Sequence, residues 1–283
     1  MSMHLGPSLE CSLAIITGAA GQIGRVIVEA FLAAGCYVGG LDIDANKFTK
    51  QHKHLHWVQV DTTDEPAMQA AWREVSDRFD NRVPTVCVCA AGLDLSFITH
   101  HRSVADMPVE QFRRTLEVNT TGTFITAKTW LKCIKDTVED NPRMKVALNN
   151  VSAIIVGSEA GVLGVPGNSD YAASKSAVQY GLTLSLAPDA SRIFSRARVN
   201  AIAPGAVNTP QFQKECQSDP AAEWVDAQST VAARKAVEMQ HVAKMCVLLA
   251  SENLSGSTTG QVIRLDGGKS GRMYWDRSGH PLW

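Results

Sequence analysis

The sequence has no excess of charge of either sign: 27 basic residues stand against 28 acidic ones, a formal net charge of −1 over 283 residues. So even a balance gives no electrostatic reason to expect a nucleic acid or an anionic membrane as the main partner. No apolar run approaches the ~20 residues needed to cross a bilayer. Residues 1–12 lack the charged-then-apolar layout of a secretion signal, so a cytoplasmic protein is expected. Internal repeats, low-complexity tracts and Pro/Ser-rich linkers are also missing. Cysteines number seven, but only Cys87 and Cys89 lie close together, in an apolar run with no second pair to complete a metal cage. Buried, reduced thiols and no bound metal are therefore expected. The alternating His52, His54 and His56, and the adjacent His100 and His101, read as solvated edges on the same grounds. What the chain does have is 45% hydrophobic residues, enough for one large core. Its length does not require a second domain.

Apolar runs alternate with helical stretches from end to end. Strands are predicted at Leu13–Thr17, Tyr37–Leu41, Trp57–Val60, Thr85–Cys89, Ala153–Ser158, Arg198–Ala203 and Gln261–Asp266. Helices are predicted over Ile23–Ala34, Ala67–Phe79, Val109–Glu117, Gly122–Val138, Tyr171–Ala187 and Val242–Ala250. The fifth of these is expected to end before Pro188, because proline disfavours helix at the residue before it. Strands that are apolar throughout and separated by helices imply a parallel sheet covered on both faces. The predicted fold is α/β: a doubly wound, Rossmann-type, seven-stranded parallel sheet in a single domain over residues 13–268. Residues 1–12 form an extension before it. Residues 210–240 lack a strand and read as an inserted substrate lid, and residues 269–283 form a tail.

After the first strand the chain reads Thr17-Gly18-Ala19-Ala20-Gly21-Gln22-Ile23-Gly24. A strand, a glycine-rich turn and a helix start let the backbone approach a pyrophosphate at a helix N-terminus. Asp42 ends the second strand, eighteen positions after Gly24. A carboxylate there accepts both ribose hydroxyls of an adenosine and repels a 2′-phosphate, by about 4 kcal/mol at ~4 Å and an effective dielectric near 20. NAD is therefore expected over NADP. Farther on, Tyr171 and Lys175 are four residues apart on one helix and so share a face. An ammonium beside a phenol favours the phenolate, so a lowered tyrosine pKa is expected, aided by the positive charge of oxidised nicotinamide.

These pieces, with others in the same order, resemble the short-chain dehydrogenase/reductase family over residues 13–268. They are the Thr17–Gly24 turn, Asp61-Thr62, Cys89-Ala90-Ala91-Gly92, and Asn119 in Val118-Asn119-Thr120-Thr121-Gly122. A serine on the fifth strand, Tyr171-Ala172-Ala173-Ser174-Lys175, the run from Asn200 through Pro204-Gly205 to Val207 and Thr209, and Leu265-Asp266-Gly267-Gly268 complete them. The resemblance implies a catalytic set of Asn119, Ser158, Tyr171 and Lys175. Tyr171 would be the general acid or base. Lys175 would hold the nicotinamide ribose, Ser158 would bond the substrate oxygen, and Asn119 would support a water chain to Lys175. Of the two serines near the fifth strand, Ser158 stands thirteen residues before Tyr171, as in the family, whereas Ser152 falls at the strand's start. The cofactor would lie against Gly18, Gly21, Gln22, Ile23, Gly24, Asp42, Asp61, Thr62, Ala91, Gly92, Tyr171, Lys175, Pro204, Gly205, Val207 and Thr209.

The implied activity is hydride transfer between NAD(H) and a secondary alcohol or ketone, with a small-molecule substrate and a homodimer or homotetramer. The substrate pocket would be built from Leu93–His101, Glu159–Asp170 and Gly205–Ala236, which carry Phe97, His100, Asn168, Phe212 and Trp224. The tail, with Tyr274, Trp275 and Trp283, would reach toward a neighbouring subunit. Departures from the family pattern are the Gly21-Gln22 spacing, which resembles its extended branch, Cys89-Ala90 in place of two asparagines, longer stretches at 93–107 and 141–151, and the tail. Two alternatives follow: a nucleotide-sugar epimerase or dehydratase of the extended branch, and a non-catalytic NAD sensor.

Overall fold

The computed structural model describes Gly6–His280; residues 1–5 and 281–283, with Trp283 of the tail among them, lie outside the described residues. Seven parallel strands form one sheet in the order β3-β2-β1-β4-β5-β6-β7. They are β1 Leu13–Thr17, β2 Tyr37–Asp42, β3 Leu55–Gln59, β4 Pro84–Cys89, β5 Ser152–Val156, β6 Arg198–Pro204 and β7 Val262–Leu265. The helices are α1 Gln22–Ala33, α2 Glu65–Arg78, α3 Val109–Leu116, α4 Gly122–Asp140, α5 Met144–Ala147, α6 Ala160–Leu163, α7 Ser169–Ser176, α8 Thr183–Ile193, α9 Pro210–Ser218, α10 Pro220–Glu223, α11 Met239–Ala250 and α12 Glu252–Ser255.

The central strands are buried, and since successive side chains point to opposite sides they feed a core on each face, whereas the edge strands β3 and β7 are half-exposed. In β1, Leu13 and Ile15 join a core with Met68 and Trp72 of α2, Trp130 and Ile134 of α4, and Leu186 of α8. Ala14 and Ile16 join the other core, with Ile27 and Phe31 of α1 and Val242 and Cys246 of α11. The strand order reverses between β1 and β4, where a crevice opens at the strands' carboxyl ends.

Several expectations need correction. The catalytic helix does not stop at Ala187: α7 runs through a π-helical turn, Ala177–Leu182, into α8, with Pro188 inside it. Pro188 is exposed, so the carbonyl it leaves unpaired faces water, while buried Leu186, Ala187 and Ala190 hold the helix on either side of it. Strand β5 ends at Val156, leaving Ser158 in the loop beyond the sheet. The 210–240 segment, expected to lack a strand, has none and carries α9, α10 and a π turn at Trp224–Gln228. All seven cysteines are free, and Cys11 is exposed rather than buried. Cys87 and Cys89 are buried with their sulfurs 3.7 Å apart. Among the described residues no metal-binding cluster occurs, and no helix is long and apolar enough to cross a membrane.

Candidate active site

The turn after β1 is shaped for a ligand's backbone approach. Gly18 has φ of +65°, and a Cβ there would lie 2.7 Å from the Ala91 Cα. A Cβ on Gly24 would lie 2.0 Å from the Gly18 carbonyl oxygen. Both positions therefore exclude side chains, and the cradle above them opens at the N-terminus of α1, where Gly21 precedes the helix and Ile23 turns into the core. Thr17 joins the two strands that flank the crevice: its hydroxyl donates to Val88 O (3.5 Å) and accepts from Ala91 N (3.3 Å). Asp42, at the end of β2, accepts from the Ala20 amide at 3.0 Å and the Asp44 amide at 3.1 Å. The carboxylate is thereby held beside the turn. This donor and acceptor set fits an adenine dinucleotide with free ribose hydroxyls.

Other cofactor-side positions divide. Asp61 is exposed and steadies its own turn, its Oδ1 accepting from the amide and hydroxyl of Thr63 at 2.9 and 2.8 Å. Thr62 is buried against Gly122. Gly92 is exposed beside Asn119 and Lys175. Pro204 O accepts from Glu159 N at 2.8 Å, and Gly205 N donates to Leu265 O at 3.0 Å. Val207 forms a parallel bridge with Val237, and Thr209 caps α9 through the Phe212 amide. Gln22 accepts from Gln211 N at 3.1 Å, while Ser96 Oγ donates to Glu215 at 2.9 Å. Helix α9 thus touches both walls of the crevice.

The four proposed catalytic residues converge at the carboxyl end of the sheet. Asn119 sits in a π-helical turn, Glu117–Thr121. Its side-chain oxygen accepts from Leu93 N at 2.7 Å, and its amide donates to Leu93 O at 3.0 Å and Ser174 Oγ at 3.1 Å. The side chain clamps the loop after β4 to α7, with its amide protons engaged. Lys175 donates to Val156 O at 3.0 Å and lies 5.8 Å from the Tyr171 ring centre. Burial lowers its pKa to about 8.

The expectation of a lowered tyrosine pKa does not hold for the protein by itself. Burial pushes the Tyr171 phenol up to about 12; the Ser158 hydroxyl pulls it down, while Asp94 and Glu159 add to the rise. Desolvation of the phenolate exceeds what its neighbours supply. Ser158 is held by its amide, which donates to Gln179 Oε1 at 2.9 Å. Ser152 is fully buried at the start of β5, donating to Leu249 O at 3.1 Å, far along the strand from the crevice.

On the substrate side, two of the polar candidates bond each other: His100 Nδ1 lies 2.7 Å from Asn168 Oδ1. Phe97 is exposed, and Phe212 and Trp224 are half-buried in the 210–240 segment. Asp94 and Glu159 fall in stretches expected to line the pocket, whereas Gln179 and Lys269 near the site were not anticipated. Glu159 and Lys269 form an ion pair at 2.6 Å, 110 residues apart in sequence. A pairing so remote leaves no local pattern to read. A cavity of about 880 Å³ near Arg82, Asn150 and Glu252 lies at the opposite edge of the sheet and contains none of these groups.

Known proteins share this architecture and sequence pattern. A family model described as enoyl-(acyl carrier protein) reductase matches residues 18–270. A 2,5-dichloro-2,5-cyclohexadiene-1,4-diol dehydrogenase of Sphingobium indicum is 29% identical, covering 90% of this chain and 95% of that protein. A (3R)-3-hydroxyacyl-CoA dehydrogenase of Mus musculus is 30% identical over 92% and 96% of the two chains. In three dimensions the chain resembles a short-chain type dehydrogenase/reductase from Mycobacterium marinum, with a TM-score of 0.76, 23% identity, and 95% and 98% coverage.

Proposed function

This chain belongs to the short-chain dehydrogenase/reductase family, and from that membership we propose that it is an NAD(H)-dependent oxidoreductase acting on a secondary alcohol or the matching ketone. The observation that carries the proposal is the meeting of Ser158, buried Tyr171 and buried Lys175 beside a glycine cradle that excludes side chains. Gly18, Gly21, Gln22, Ile23, Gly24, Asp42, Asp61, Thr62, Ala91, Gly92, Pro204, Gly205, Val207 and Thr209 would hold the dinucleotide, together with Tyr171 and Lys175. When bound, the nicotinamide accepts or supplies a hydride.

The residues of the chain handle the proton. Tyr171 takes the proton from the alcohol oxygen in oxidation and returns it in reduction, while the Ser158 hydroxyl donates to that oxygen. A phenol with a pKa near 12 is a poor base at neutral pH. Lys175 already stands 5.8 Å from the ring with the phenol still near 12, so activation calls for a further positive charge, which the oxidised cofactor would supply. Asn119 would support a water path to Lys175 through a remaining lone pair of its side-chain oxygen or its backbone carbonyl, each of which already accepts a hydrogen bond, from Leu93 N and the Thr123 hydroxyl.

Asp42 supports NAD over NADP, since its fixed carboxylate would oppose a 2′-phosphate. Initial rates with the two cofactors test this, and a preference for NADP(H) would reject it. For the reaction, Tyr171→Phe is expected to lower turnover by two orders of magnitude or more while NADH still binds. Unchanged turnover would reject the catalytic assignment. The dehydrogenases among the relatives support an alcohol substrate. Exposed Phe124 and Leu184, on α4 and α8, support assembly into homodimers or homotetramers, to be read by light scattering in solution.

A further inference from the structure

We infer that Lys269, the first residue beyond the Gly267-Gly268 turn, is a positioning residue that straps the substrate lid to the loop carrying Ser158. The inference rests on the proposed reading of the site. The Lys269 ammonium donates to Glu159 Oε1 at 2.6 Å and to Asp226 O at 3.0 Å. Glu159 directly follows Ser158, and Asp226 lies in the lid's π turn, Trp224–Gln228. One side chain therefore joins three segments that are remote in sequence: the serine loop, the lid and the tail. Both members of the pair are 15% exposed, so the contact is shielded from water and salt.

The surroundings hold Lys269 in place. Asp266 Oδ1 accepts from the amides of Gly268 and Lys269 at 3.0 and 3.3 Å, which fixes the turn that aims the lysine. Beyond it the tail pairs with the base of the lid. Val231 and Lys269 form an antiparallel bridge, Ser270 N donates to Thr230 O at 3.0 Å, and Tyr274 N donates to Ser229 O at 2.8 Å. Glu159 is anchored in turn by its amide on Pro204 O, and its second oxygen fills the space where a Gly205 side chain would stand. Burial and the nearby Asp226 and Asp266 disfavour the Glu159 carboxylate, and only the lysine favours it. Removing the lysine thus leaves an uncompensated buried acid one residue from the serine that meets the substrate.

Amide hydrogen exchange on the cofactor-free protein, together with steady-state kinetics, tests the strap. In Lys269→Met, residues 158–163 and 224–233 are expected to exchange at least tenfold faster, and Lys269→Arg should restore most of the protection. Glu159→Gln should loosen the same two segments, which keeps the test available if the methionine variant does not fold. Kinetically, Lys269→Met should lower kcat/KM for the alcohol at least tenfold, with the NADH dissociation constant within threefold of wild type. Adding Glu159→Gln to it should cost less than a further threefold, because the pair acts as a unit. Unchanged exchange at 158–163, no recovery with arginine, or independent and additive kinetic losses would each overturn the inference. If the wild-type protein turned over no alcohol, the oxidoreductase reading would fall, while the exchange comparison would still decide the strap.

Discussion

Lys175 carries its charge at a measurable cost to the cofactor-free protein. Its ammonium is buried, it has one hydrogen bond, to the Val156 carbonyl, and its pKa falls from 10.5 to about 8. Every tenfold loss of proton affinity corresponds to about 1.4 kcal/mol, so the buried charge destabilises the fold without its cofactor by about 3 kcal/mol as an upper figure. Lys175→Met keeps the length of the side chain and removes the charge. It also leaves the Val156 carbonyl without its donor, a loss of about 1 kcal/mol. The variant is therefore expected to be about 2 kcal/mol more stable than wild type without cofactor, and to be catalytically impaired.

The sign of the pH dependence follows from linkage. The folded pKa lies below the unfolded one, so between pH 8 and 10.5 the unfolded chain binds more protons and wild-type stability rises with pH. The advantage of the variant should be full below pH 8, fall to nothing at about pH 10, and turn into a deficit of about 1 kcal/mol well above 10.5, where only the lost hydrogen bond counts. Urea denaturation of both proteins at about pH 6.5, 8, 9 and 10.5 reads it. A variant less stable than wild type at the lowest pH, or an advantage that does not shrink as pH rises, would refute the reasoning.

The two serines should separate cleanly. Ser158→Ala is expected to lower kcat by two orders of magnitude or so with stability within about 1 kcal/mol of wild type, whereas Ser152→Ala should keep kcat. The latter loses about 1 kcal/mol, since its hydroxyl donates only to the buried Leu249 carbonyl; a reversed pattern in paired kinetics and denaturation would reassign the serine. Arg198, almost wholly buried, donates to the Leu249, Ala250 and Ser255 carbonyls and so closes the C-terminal end of α11. Arg198→Met takes its donor from the Ala250 and Ser255 carbonyls, while Ser152 and Ser255 still donate to Leu249 O, and it relieves a buried charge whose pKa falls to about 10. The two effects offset to within about 2 kcal/mol, and a fall in Tm of more than about 8 °C would contradict this.

Much of the sheet was legible because its strands are short apolar runs bounded by glycines, and β1, β2 and β4 fall within a residue or so of where the pattern puts them. Pro188 misled because its local rule assumes the lost hydrogen bond matters everywhere, and on an exposed helix face water replaces it. Ser158 was reached by its distance to Tyr171, although β5 ends two residues before it. The Asn119 side chain could not be assigned from sequence, since its partners, Leu93 and Ser174, come from two other segments.

Local sequence by itself determined what depends on neighbouring residues: the glycine-rich turn after β1, the shared face of Tyr171 and Lys175, and the apolar runs that become the central strands. Tertiary structure alone decided which polar groups are spent and which remain free, and what the ionisable ones weigh. The Glu159–Lys269 pair joins residues 110 apart in sequence, and the phenol near 12 and the ammonium near 8 both arise from desolvation. That quantity sums over atoms brought in from the whole chain, so no window of sequence contains it.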